Sequence, residues 1–134
     1  MSYIPNLSSA TRWEKFTVNY TDLSAASTTA SYTFYTAPAG TFISGAIMSV
    51  YSTFTGGSVS TSDIELDVFT SGDVVPSSNI MANSIYQNYP QLLCNLGGTQ
   101  TVYATLTVTG GNTQDLTQGR IYIWLQVSQL PDII

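Results

Sequence analysis

Histidine is absent from this chain, and cysteine occurs once, at position 94. Charge is nearly as scarce: Asp, Glu, Lys and Arg together make up 8% of the residues, and the only bases are Arg12, Lys15 and Arg120. Each shortage closes off a class of function. Without histidine there is no imidazole to act as general base or metal ligand. A lone cysteine permits no intrachain disulfide, so the fold must rest on packing, as in a reducing cytoplasm. Three cations are too few to neutralise a run of phosphates or to hold an anionic bilayer, so neither nucleic acid nor a membrane is an expected partner. No apolar run approaches the ~20 residues of a membrane helix. The opening Met-Ser-Tyr-Ile-Pro-Asn lacks the basic and apolar stretches of a secretory signal, so cytoplasmic synthesis is expected.

What remains is Ser, Thr, Gly, Tyr and aliphatic residues in short alternating runs. At 134 residues, with 43% hydrophobic and 12% aromatic content, the chain suits one folded domain. Its net charge of −5 reflects missing bases rather than abundant acids. Phe16, Val18 and Tyr20 alternate with polar neighbours, which is the period of a half-buried strand. Tyr32 and Phe34 mark a second strand, and Pro38-Ala-Gly40 is turn chemistry. The run 42–54 is long, and Gly45 within it signals a bulge or a close backbone approach. Its alternation assigns Ala46, Met48 and Val50 to one face and Ile43, Ile47 and Tyr51 to the other, so a central strand is expected. Ile64, Leu66 and Val68 form a further strand, and residues 70–98 read as irregular, with a short strand at Leu92-Leu93-Cys94. Val102, Ala104, Leu106 and Val108 alternate cleanly, as do Ile121, Ile123, Leu125 and Val127. Tyr122 and Trp124 give this last strand a second apolar face, which places it centrally or at an interface. The pattern predicts an all-β, single antiparallel β-sandwich of roughly 7–8 strands, jelly-roll or Ig-like. Residues 1–11 read as an N-terminal arm, 12–130 as the sandwich domain and 131–134 as a C-terminal tail.

Few groups offer chemistry. Asp63, Glu65 and Asp67 leave the same side of one strand at steps of roughly 6–7 Å. Three carboxylates so placed are a candidate Ca²⁺ site, and their spacing is near that of glycosidase acid pairs. A solvated strand face that keeps an edge from pairing needs the same residues, and a flat strand is neither concave nor dry. Any serine nucleophile would depend on Lys15, with no motif to support it. Cys94 reads as a buried, inert thiol. No cofactor and no enzymatic activity are expected.

The candidate contact residues are apolar and aromatic. Tyr86 and Tyr89, among Asn79, Asn83, Asn88 and Asn95, could stack on a sugar, bind protein or plug the end of the sandwich. Tyr3, Ile4 and Pro5 belong to the arm, and Trp13, placed just before the first strand, is its expected anchor. Leu130, Ile133 and Ile134 end the chain. Each terminal Ile would contribute roughly 1–3 kcal/mol if fully buried on a neighbour.

Three segments carry a resemblance: Phe16-Thr-Val-Asn-Tyr-Thr-Asp-Leu23, Ala37-Pro-Ala-Gly40 with the strand after it, and Ile123-Trp-Leu-Gln-Val-Ser-Gln-Leu-Pro131. In this order the chain resembles small β-sandwich virion proteins of tailed bacteriophages. That resemblance implies a capsid decoration or auxiliary head protein, made in the host bacterial cytoplasm and carried on the capsid surface in repeated or homo-oligomeric copies. It implies the major capsid protein or other virion proteins as partners, and no cofactor. Two other readings stay open: a host glycan- or receptor-binding module of a head fibre or tail, and a neck or tail adaptor. A hydrolase acting through Asp63, Glu65 or Asp67 is the remaining competitor.

Overall fold

The computed structural model describes residues 11–69 and 72–129. Nine strands lie among these residues: β1 (Arg12–Asn19), β2 (Thr29–Ala37), β3 (Thr41–Thr55), β4 (Thr61–Val68), β5 (Gly72–Asn79), β6 (Ile85–Asn88), β7 (Leu92–Leu93), β8 (Gln100–Thr109) and β9 (Gln118–Gln129). Two 3₁₀ turns, Tyr20–Leu23 and Thr113–Asp115, complete the path. Aspartates close both: Asp22 Oδ2 accepts from the Asn19 N–H at 2.9 Å, and Asp115 Oδ2 from the Asn112 N–H at 2.8 Å.

The strands form two antiparallel sheets, ordered β1-β9-β3-β6, with β7 also on β3, and β2-β8-β4-β5. The first strand pairs with the last, β2 with β8, β3 with β6 and β4 with β5. That is a long hairpin rolled into two facing sheets, the jelly roll. The topology settles the jelly-roll alternative over the Ig-like one.

Alternation drives the core. Ile64, Leu66 and Val68 of β4 and Val102, Ala104, Leu106 and Val108 of β8 are buried in one sheet, and Ile121, Ile123, Leu125 and Val127 of β9 with Met48 and Val50 of β3 in the other. Each of these side chains apart from Ala104 stabilises the fold by roughly 1.5–3 kcal/mol. A glycine is required where β9 begins: at Gly119, with φ +153°, an added Cβ would lie 2.6 Å from the buried Phe54 ring.

Four details depart from the sequence reading. Ile43 is buried with Ala46 and Met48, not turned outward with Ile47 and Tyr51, because the β3–β9 register breaks between Ile43 and Gly45. One extra residue in a strand inverts every position beyond it. The 70–98 stretch holds β5 and β6 besides the expected short strand, which is β7. In β5 two successive residues, Val74 and Val75, are buried across a register break opposite Leu66, which hides the period of two. Pro76 is accommodated because β5 is an edge strand. Trp13 lies inside β1, not before it, and Tyr20 lies in the 3₁₀ turn rather than the strand.

Candidate interaction surface

The outward positions of the first sheet assemble an aromatic face. Antiparallel register sets Lys15, Trp124, Ile47 and Gln87 in one row across β1, β9, β3 and β6, and Thr17, Tyr122, Ser49 and Ile85 in the next. Trp13 opens a third row opposite Gln126, which in turn faces Gly45. The end of the indole reaches the bulge glycine. A Cβ at Gly45 would stand 3.4 Å from Trp13 Cη2 and 3.2 Å from Gln126 Oε1.

The rings are in contact. The Tyr51 and Tyr122 centroids are 5.3 Å apart, and those of Tyr122 and Trp124 6.1 Å. Lys15 Nζ lies 4.2 Å from the Tyr122 centroid and 5.5 Å from that of Trp124, a cation held over two negative ring faces. A groove of about 400 Å³ runs between Trp13, Trp124, Ile47 and Ile85, with Ser49 and Gln87 at its sides. A second hollow of about 610 Å³ adjoins it at Ser49 and Ile85 and ends at Tyr51. Trp13, Tyr51 and Ile85 keep 46%, 61% and 65% of their surface in water. Contiguous exposed apolar area of this kind marks binding surfaces, and Trp and Tyr are the residues that most often anchor them.

The outer face of the second sheet is its opposite. Asp63, Glu65 and Asp67 do project from one side of β4, among Thr29, Ser31, Thr33, Tyr103, Thr105 and Thr107 of β2 and β8. Asp73 of β5 sits across from Asp67, whereas Asp63 faces Asn79. The crowded group is therefore Glu65, Asp67 and Asp73, each with a carboxylate oxygen within 4.8 Å of the others. Partial burial, the hydrogen bond with Asp73 and the charge of Glu65 push Asp67 up to about 7. Glu65 is raised by its hydrogen bond to Asp73 and by burial. Asp73 is lowered, because Asp67 and Glu65 share their protons with it. The sequence brought Glu65 and Asp67 together; Asp73 was invisible because β5 itself was not read.

The tyrosine and asparagine residues divide. Tyr86 pairs with the buried Met48, packs against the core and donates its hydroxyl to the Asn79 carbonyl at 2.5 Å. Tyr89 is 67% exposed. The asparagines shape local loops: Asn79 Oδ1 accepts from Met81 N–H, Asn88 Nδ2 donates to the Val74 carbonyl, and Asn95 Oδ1 accepts from Gly97 N–H. Cys94 is buried, which pushes its thiol up and leaves it inert. Tyr3, Ile4, Pro5, Leu130, Ile133 and Ile134 lie outside the described residues. Arg12 pairs with Val127, so both terminal segments attach at one end of the first sheet.

The aromatic face was only half legible. Tyr122 and Trp124 announced a second apolar side on β9, but nothing local links them to Trp13, Ile47 and Ile85.

Neither a family profile nor a curated protein matches this sequence. The fold has solved counterparts. A chain in the cyanophage Pam1 capsid asymmetric unit is 12% identical with a TM-score of 0.63, the match covering 97% of this chain and 94% of that one. A chain in the capsid of Ralstonia phage GP4 is 15% identical at TM-score 0.57, covering 98% and 92%. One in the acid-stable capsid of Helicobacter pylori bacteriophage KHP30 is 13% identical at 0.56, covering 93% and 91%. At these identities the likeness is one of fold.

Proposed function

We propose that this chain is a structural protein of a bacteriophage virion, an auxiliary or decoration protein of the head that binds the capsid lattice and stabilises the shell. The observation that carries this reading is the reciprocal coverage: a jelly roll of this size matches chains in three phage capsids over more than nine-tenths of each. What the neighbours have in common with this chain is therefore the whole brick, with no room in them for a large further domain. The aromatic face supports the same reading, because it is built for contact with protein.

The protein acts by occupancy rather than by turnover. Binding the assembled shell and not its separate parts adds RT ln(1 + L/Kd) per site to the assembled state, where L is the concentration of free protein. The terminal segments, which attach side by side next to Trp13, are the parts that reach the lattice. Ordering such an arm on a neighbour recruits a large contact area at the cost of its chain entropy.

The test is deletion of residues 1–11. The truncated protein should keep the circular dichroism and melting behaviour of the full chain, yet show lower occupancy when added to purified heads lacking it. Unchanged occupancy would remove the arm from the mechanism.

A further inference from the structure

We propose that the aromatic face of one copy receives the carboxylate-bearing outer face of a second copy, head to tail. This rests on the reading of the aromatic face as a protein-docking surface and names its partner.

Charge is divided between the two outer faces. All three bases lie on β1 and β9. Arg12 pairs with Glu14 at 2.8 Å, but Arg120 Nε donates to the neutral Asn19 Oδ1, and Lys15 stands over the Tyr122 and Trp124 rings. On the other side of the sandwich, Glu65, Asp67 and Asp73 crowd together with no basic side chain of the described chain among their partners. The molecule is thus unbalanced in opposite senses on its two outer faces. Like-on-like pairing would set Lys15 and Arg120 against their own copies, or carboxylates against carboxylates. Opposite pairing meets both needs.

Shape agrees. Phe69 follows β4 directly, two residues beyond Asp67, and is 58% exposed. It is an apolar knob within roughly 6–7 Å of chain from a carboxylate. The receiving groove has a cation beside it, the ring of its Trp124 wall being centred 5.5 Å from Lys15 Nζ. Phe69 fills the groove while Asp67 and Glu65 approach the ammonium. Around this anchor, the short hydroxyl side chains of Ser31, Thr105 and Thr107 make a low surface on which rings can lie. Four strands about 4.8 Å apart, with a central one of 12 residues, offer up to roughly 800 Å², about one partner's share of a standard interface. Because the two faces lie on opposite sides of the sandwich, the contact is heterologous, and it closes into a ring or extends along a lattice.

Sedimentation velocity on the full chain tests this. The wild type at about 5–500 μM in about 50 mM salt should self-associate with rising concentration and dissociate as salt screens the charges. Lys15→Glu, and separately the double variant Glu65→Lys/Asp67→Lys, should each weaken association about tenfold or more. Mixed one to one, the two variants should associate again, since each keeps the face the other lacks and their two reversed faces are themselves complementary. A monomeric wild type, a self-associating Lys15→Glu protein, or a mixture that stays monomeric overturns the pairing. Binding to purified heads is scored separately. Heads that take up a chain monomeric in solution leave the head reading standing without the pairing; self-association without head binding does the reverse.

Discussion

On β9 the outward positions are Tyr122, Trp124 and Gln126; on β8 they are Tyr103, Thr105 and Thr107. The two strands hold equivalent places, each second in its sheet, and their inward positions are interchangeable in kind: Ile121, Ile123 and Leu125 against Ala104, Leu106 and Val108. The jelly roll constrains only what points in. What points out is free to be specialised. One face became aromatic with a captive cation, the other a lawn of threonines broken by carboxylates. The lesson is that stability and recognition occupy alternate residues of the same strands and can be altered separately.

The sharpest way to break this comparison is to cut once on each side of it. Ile123→Ala removes a fully buried side chain and should cost about 2–5 kcal/mol in urea unfolding. Ile85→Ser, on the aromatic face and 65% exposed, should change stability by no more than about 0.5 kcal/mol while weakening self-association. Equal destabilisation by the two would mean that the outer face is part of the core.

A smaller effect sharpens the view of the acidic face. Asp67 is held at about 7 against an ordinary 3.8, so between these values the folded chain keeps a proton that the unfolded chain has released. Stability from this group is complete below about pH 4 and is lost as pH rises towards 7. Glu65 is shifted in the same sense, while the lowered Asp73 acts in the opposite sense and at more acid pH. Melting temperatures between pH 4 and 8 should therefore fall with pH, and Asp67→Asn should flatten the slope. An identical slope in the variant would show that the three carboxylates do not share protons.

The sandwich was legible because alternation is a local property. Ile64-Glu-Leu-Asp-Val68 and residues 121–127 state their inward and outward sides without help. What was not legible depends on residues distant in sequence. Val74-Val75-Pro76 has no period of two, and only its pairing with β4 makes it a strand. The choice of jelly roll over Ig-like rests on contacts such as Arg12 with Val127 and Thr29 with Thr107, which no window of sequence contains. The site followed the same rule. The carboxylates at 65 and 67 share a strand and were found together, while Asp73 joins them across a ladder. Trp13, Ile47 and Ile85 become neighbours of Trp124 only through register, and the Gly45 bulge inverts β3 between its two ends.

Whether this brick seats itself on a phage shell is decided by imaging purified particles at a resolution that distinguishes side chains. The jelly roll should then stand at symmetry-related positions on the head, in fixed ratio to the major capsid protein, with residues 1–11 against the lattice. Washed particles that lack the chain, or hold a few copies away from the head, would contradict it.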